Sequence, residues 1–152
     1  MQPKHITVHT SATPPSAKIT VNEIRQMHLN KGWSDIGYHF VITRDGILQV
    51  GRPLSRNGAH VKGHNKDNIG ICLVGGVDKN GKAENNFNDK QFEALRYLIS
   101  ELSGRYGIKE ESIKGHRDWF TDINGDGIVD SRDWLKECPC FDVKSKLLEW
   151  AS

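Results

Sequence analysis

The sequence has few of the features that define membrane, secreted or disordered proteins. No apolar run approaches the roughly 20 residues that a bilayer-spanning helix needs, so we expect no membrane insertion. Residues 1–10 lack the apolar stretch of a secretory signal, and we expect a protein made and folded in a cytoplasm. Internal repeats, low-complexity segments and linkers are absent, and 152 residues suit one domain, residues 1–152.

Cysteine is scarce, and its three copies do not indicate a disulfide framework. An odd number in a chain without a secretory signal favours metal ligation or plain burial. The net charge is only +2, but residues 122–133 contain four Asp and one Arg, which leaves a mildly basic remainder. Such a surface suits an anionic partner such as cell wall or nucleic acid, and no Lys/Arg block is dense enough to argue for nucleic acid.

Apolar patterning predicts four strands. Alternation places Ile6 and Val8 on one face of the first strand, and a turn with Gly46 at positive φ joins the second and third strands as a hairpin. Residues 51–68 contain three Gly and one Pro and are predicted to form a long surface loop. The predicted strands are His5–His9, Tyr38–Thr43, Ile47–Val50 and Ile69–Val74.

Three helices follow recognisable start signals. Thr20-x-x-Glu23 is a capping box, and its helix is expected to bury Ile24 and Met27 and to stop at Gly32. Capping signals at Asn88-x-x-Gln91 and at Asp142 open two further amphipathic helices. Strands that alternate with helices predict the α/β class, a single domain with a central mixed β-sheet flanked by helices.

Residues 122–133 match the twelve-residue spacing of an EF-hand calcium loop. Gly127 stands at position 6, where the chain must turn sharply, and Asp133 replaces the usual Glu at position 12. The alternative is an acidic, glycine-rich loop that binds nothing, but without a cation its four carboxylates repel one another. We expect a structural Ca²⁺ held by oxygen atoms of Asp122, Asn124, Asp126, Ile128 (through its carbonyl), Asp130 and Asp133.

Zinc-binding residue types occur at His9, His116 and Cys138. Two imidazoles and a thiolate would leave the fourth position of a tetrahedral zinc open for water, as in catalytic zinc sites. These residues are far apart in sequence, so spacing alone does not decide the matter, and any one of them taken singly is more often structural. Cys72 lies in an apolar strand and suits burial, and a disulfide between Cys138 and Cys140 would be strained.

Five motifs extend in order over nearly the whole chain: Val8–Thr13, Gly37–Gly46, Asn68–Gly76, Gly115–Asp118 and Lys136–Asp142. Together they resemble the N-acetylmuramoyl-L-alanine amidases of the phage lysozyme type, within the type-2 amidase and peptidoglycan-recognition superfamily. The resemblance implies zinc at His9, His116 and Cys138. It also implies hydrolysis of the amide between the lactyl group of N-acetylmuramic acid and L-alanine of the stem peptide.

The same resemblance implies catalytic roles for Tyr38 and Lys136 and a substrate-binding role for His60, which matches a loop histidine near the family's substrate groove. Zinc lowers the pKa of bound water toward ~7, and Lys136 would stabilise the developing oxyanion. Tyr38 would orient the water or the tetrahedral intermediate, while the proton acceptor is either Tyr38 or the zinc-bound hydroxide. The alternative to a catalytic role is a structural one for each residue, with Tyr38 as a half-buried strand aromatic and Lys136 as a surface lysine.

The remaining histidines, His5, His28, His39 and His64, are expected to be surface or structural residues. Trp119 and Phe120 follow the second zinc candidate and either wall the groove or pack against the calcium loop.

The expected function is that of an endolysin, a monomer that leaves the host cytoplasm to cut peptidoglycan. Three other functions compete with it. A cytoplasmic wall-recycling amidase uses Asp as third ligand, a non-catalytic recognition module typically lacks the thiolate, and a dockerin needs paired calcium loops. Some phage lysozymes of this group also restrain a viral RNA polymerase through an N-terminal extension, but only eight residues precede His9, which argues against that partner.

Overall fold

The computed structural model describes residues 1–119 and 138–151, and its centre is a mixed five-stranded sheet. In the order β3-β2-β4-β1-β5, β2 and β3 pair antiparallel and the other neighbours pair parallel. The expected α/β class with a central mixed sheet is therefore confirmed. The strands are β1 His5–Thr10, β2 Phe40–Ile42, β3 Leu48–Val50, β4 Asn68–Leu73 and β5 Ile113–Gly115.

In the described part of the chain, three α-helices accompany the sheet: α1 Val21–Asn30, α2 Asp89–Tyr106 and α3 Val143–Ala151. The capping boxes predicted at Thr20 and Asn88 are both present, so side chains satisfy the first amide groups of α1 and α2. Gly107 ends α2 in the left-handed region, with φ 65°. Two short 3₁₀ helices, Glu110–Ser112 and His116–Trp119, flank β5.

The side chains of β1 alternate between the two faces of the sheet, and each face packs against a different layer. Ile6 and Val8 are fully buried and pack in the core that α2 and α3 cover. On the opposite face, Cys72 of β4 packs in a smaller core with Ile24 of α1. His9 lies beside Cys72 in the parallel register, so it belongs to the α1 side of the sheet.

Two local expectations need correction, and one strand was not predicted. Met27 is 42% exposed, because His28 takes the buried position of that turn and its Nδ1 accepts a hydrogen bond from the Gly37 amide at 2.8 Å. The loop of residues 51–68 is not wholly at the surface, since it buries His60 and Val61. β5 was not predicted, because three residues ending in glycine carry no periodic signal.

Several expectations fall outside the described residues. These are the calcium loop of residues 122–133, the catalytic candidate Lys136, and Phe120. Within the described ranges, no helix combines the length and the apolar character that crossing a membrane requires.

Candidate active site

The parallel register of β1 and β5 brings the two histidine candidates together. Val8 lies opposite Gly115, and the residues that follow them at the carboxyl ends of the strands are His9 and His116. Their ring centroids are 4.6 Å apart. His9 is 1% exposed, whereas His116 begins a 3₁₀ helix and is half-buried. A sequence separation of more than one hundred residues therefore becomes a side-by-side pair.

Cys138 completes the group. The Arg117 amide donates to the Cys138 carbonyl at 2.9 Å, which ties this segment to the residue after His116. Gly115 allows the approach, since a Cβ there would lie 2.6 Å from Cδ of Pro139. The Cys138 Sγ lies 3.9 Å from Nδ1 of His9.

The donor atoms of His9, His116 and Cys138 all lie within 4.8 Å of one another. Two imidazole nitrogens and one sulfur are the donor set that zinc prefers, so the residues present fit the metal that the sequence predicts. The Thr10 amide supports this fit, because it donates a hydrogen bond to the Cys138 Sγ at 3.1 Å. A donor aimed at the sulfur favours the charged thiolate, which is the form that binds a metal.

His60 contacts His9 directly, a relation that sequence reasoning missed. The His9 Nε2 lies 2.9 Å from Nδ1 of His60, and the His60 Nε2 lies 2.8 Å from the carbonyl oxygen of Asn68. Burial lowers the pKa of His60 to about 3, so its imidazole is neutral. Both ring nitrogens bond within the protein and His60 also lines the cleft described below, so its substrate-binding role stays a prediction.

Tyr38 lies next to the metal-binding candidates, with its ring centroid 5.0 Å from that of His9. Burial raises the pKa of the Tyr38 hydroxyl well above its ordinary range, and the nearby thiols of Cys72 and Cys138 add to this effect. Tyr38 therefore carries its proton at neutral pH. Cys72 is fully buried, as predicted.

A cleft of about 600 Å³ opens over the group. Its lining includes the apolar side chains of Met27, Trp33, Val77 and Ala83. Trp119 takes a different place from the groove wall considered above: its Nε1 donates to Thr7 Oγ1 at 2.9 Å, and its ring packs against His5 and His64.

Comparison with known proteins agrees with this geometry. The sequence model of the family described as N-acetylmuramoyl-L-alanine amidase matches residues 1–139. The chain belongs to that family. It is 42% identical to the endolysin of Enterobacteria phage T3 and 41% identical to that of Escherichia phage T7, each over 139 residues that make up 91% of this chain and 82% of the relative.

Solved structures of similar proteins share the fold. The N-acetylmuramoyl-L-alanine amidase LysC from Clostridium intestinale superposes with a TM-score of 0.75 at 27% identity, covering 99% of this chain and 86% of that one. Drosophila PGRP-LB superposes with a TM-score of 0.71 at 24% identity, covering 99% and 82%, and this likeness concerns the fold alone.

Proposed function

We propose that this chain is a zinc-dependent endolysin that hydrolyses the amide between the lactyl group of N-acetylmuramic acid and the L-alanine of the stem peptide. The observation that carries the proposal is the convergence of His9, His116 and Cys138 on one side of an open cleft. The family and the endolysins of phages T3 and T7 supply the substrate class, which is bacterial peptidoglycan.

The proposed roles follow from what each group offers. A zinc ion held by His9, His116 and Cys138 would supply a Lewis acid and a water of lowered pKa. Tyr38 keeps its proton, so we assign it to donating a hydrogen bond to the developing oxyanion. A proton-bearing phenol is a poor proton acceptor, which favours the activated water over Tyr38 among the two alternatives for the base.

The cleft accounts for the handling of the substrate. Its open form accepts a polymer strand from the side, and apolar walls that include Met27 and Trp33 exclude water from part of the bound peptide. Because the donor atoms sit where the cleft meets the ends of β1 and β5, a peptide lying in it presents its amide to them.

Four finer parts of the proposal rest on the sequence. Lys136 is proposed to stabilise the oxyanion as a fixed cation two residues before Cys138. Residues 122–133 are proposed to hold a structural Ca²⁺. We also propose that the enzyme acts as a monomer, and that it reaches the wall from the host cytoplasm at lysis.

Mass spectrometry of digested peptidoglycan tests the proposed reaction. We expect the wild-type protein to release stem peptides with a free L-alanine amine and to leave muramic acid with a free lactyl carboxylate. Cys138→Ala should lose both the products and the bound zinc while keeping the circular dichroism spectrum of the wild type, because one of three ligands is gone.

Cys140→Ala is the matched control. Cys140 also borders the cleft, but its Sγ donates to the Gly76 carbonyl at 3.3 Å, and the donor group forms without it. Zinc content and products should therefore persist in Cys140→Ala. Wild-type protein that binds peptidoglycan without cleaving it would contradict the proposal and indicate a recognition module, and hydrolysis by Cys138→Ala would contradict the ligand assignment.

A further inference from the structure

Both ring nitrogens of the buried His60 form contacts inside the protein. Its Nε2 contacts the Asn68 carbonyl of β4, and its Nδ1 contacts the metal-binding candidate His9. We propose that His60 is a positioning residue that fixes the tautomer of His9, so that Nδ1 of His9 is the nitrogen offered to zinc. The inference rests on the proposed function, because it assigns His60 a role toward the proposed zinc ion.

The Asn68 carbonyl, which can only accept, fixes the direction of both hydrogen bonds in the series Asn68–His60–His9. The Asn68 carbonyl has no proton to give, so the His60 Nε2 must carry the hydrogen of the 2.8 Å contact. In a neutral imidazole the other nitrogen is then an acceptor, which makes Nδ1 of His60 the acceptor of the 2.9 Å contact with His9. The His9 Nε2 therefore carries the proton, and its Nδ1 carries a lone pair.

The lone pair lies on the side of the ring where a metal is needed. Nδ1 of His9 is the nitrogen found 3.9 Å from the Cys138 sulfur, whereas Nε2 lies on the His60 side. Turning the His9 ring over about its Cβ–Cγ bond would put carbon atoms where the two nitrogens lie and break the bond to His60. The contact thus holds both the orientation and the protonation pattern that ligation requires.

The backbone around His60 is arranged to receive this ring. A Cβ on Gly70 would lie 2.7 Å from Cγ and Cδ2 of His60, and one on Gly58 would lie 2.6 Å from Cδ2. The Oδ1 of Asn65 accepts hydrogen bonds from the amides of His60 and Val61, both at 2.8 Å. Two glycines that leave room for the ring and an anchored backbone keep the imidazole in one place.

Nitrogen NMR of the metal-free protein tests the tautomer directly. In the wild type we expect His9 and His60 both to carry their proton on Nε2. His60→Phe keeps a ring in the cradle but removes both nitrogens, so His9 should lose its single tautomer. Zinc affinity, measured by competition with a chelator, should fall about 10- to 100-fold, the range found when partners of metal-bound histidines are removed.

His60→Asn is the rescue variant, because its side-chain oxygen can occupy the Nδ1 position and accept the His9 proton. It should restore the Nε2-protonated form of His9 and recover most of the zinc affinity. Gly70→Ala tests the cradle without touching a histidine, since its methyl group would displace the His60 ring. Its expected result resembles that of His60→Phe.

His39→Asn measures the general effect of changing a buried histidine. His39 is fully buried and its ring is 5.9 Å from that of His60, but it bonds the Arg56 carbonyl and the Gly70 amide and does not contact His9 in the described contacts. This variant should melt at a lower temperature and keep zinc affinity within about threefold of the wild type. An equal loss of affinity in His39→Asn and His60→Phe would overturn the inference.

The inference and the proposed function fail in different ways. If the wild type binds no zinc, the proposed function fails, while the NMR measurement still reports the tautomer of His9. If the wild type binds zinc and His60→Phe binds it as tightly, the positioning role fails and the proposed function stands. A proton on Nδ1 of His9 in the metal-free wild type would also overturn the inference.

Discussion

Tyr38 illustrates how a single residue's surroundings select its chemistry. Because burial raises the pKa of its hydroxyl, we expect Tyr38 to act as a hydrogen-bond donor to the oxyanion. Tyr38→Phe removes only that hydroxyl, so kcat should fall about 100-fold, at the lower end of what loss of one oxyanion donor costs. Turnover of a purified muropeptide, with zinc content measured by metal analysis, checks the prediction.

The ratio of zinc to protein distinguishes this role from a structural one. Tyr38→Phe should keep its zinc, because the tyrosine ring packs beside His9 and the phenylalanine ring would do the same. Loss of zinc together with turnover would mean that Tyr38 supports the metal site, and unchanged turnover would remove it from the chemistry.

His28 predicts a dependence of stability on pH. Burial lowers the pKa of His28, and the positive charges of Lys31 and Arg52 lower it further. Above pH of about 6.5, the ordinary value for histidine, both states are neutral and the stabilising contribution is complete. As the pH falls below that value, the unfolded chain binds the proton first, so the contribution of His28 is lost.

Urea unfolding at several pH values between 7.5 and 5 measures this effect, with a chelator present so that metal binding does not contribute. The free energy of unfolding should fall with a slope of at most about 1.4 kcal/mol per pH unit for each such histidine. His28→Asn keeps an acceptor for the Gly37 amide and cannot titrate, so its slope should be smaller. His64→Asn, at an exposed position, is the control, and a slope that His28→Asn leaves unchanged would contradict the prediction.

At the scale of elements, the start of α2 depends on a buried glutamine. Gln91 is fully buried, its Nε2 donates to the Val74 carbonyl at 2.8 Å, and its Oε1 accepts from Arg44 at 3.0 Å. Gln91→Leu would leave these buried polar groups without those bonds, and the free energy of unfolding should fall by about 1–3 kcal/mol. Chemical denaturation gives the value.

Gln26→Ala on α1 is the comparison for that prediction. The Gln26 side chain is exposed and bonds Asn30 on the helix surface, so its removal should change stability by no more than about 0.5 kcal/mol. Equal effects of the two substitutions would show that the bonds of Gln91 to Val74 and Arg44 do not anchor α2 to the sheet.

Elements were predictable where local chemistry determines them. The capping boxes at Thr20 and Asn88 and the turn at Gly46, with φ 79°, required only neighbouring residues, and all three are confirmed. β5 was missed because its three residues gain their strand conformation from pairing with β1, a contact that no local pattern records. The burial of His60 was missed for the same reason, since it depends on Gly70 of a distant strand.

For the whole molecule, the family motifs predicted which residues would meet, and the sheet explains how they do. The motif around His9 ends β1, the motif of His116 ends β5, and parallel pairing places both ends at one edge. Spacing along the chain gave no sign of this meeting, because it depends on strand order and register. The Thr10 amide that donates to Cys138 was likewise beyond prediction, since it is a backbone group without a residue-type signal.

The last prediction concerns calcium and the stability of the whole chain. Residues 122–133 have the spacing of a calcium loop, and a cation that binds only the folded protein stabilises it by an amount that grows with the logarithm of its concentration. With zinc held constant, the melting temperature should rise as calcium is added. At a calcium concentration of one hundred times the dissociation constant, binding stabilises the folded protein by about 2.7 kcal/mol.

Asp126→Ala should weaken this response, whereas Asp89→Asn, at an exposed position of α2, should not. Because Mg²⁺ demands a smaller, octahedral site, it should raise the melting temperature less, and a melting temperature that stays constant over a wide range of calcium would show that the loop binds no calcium.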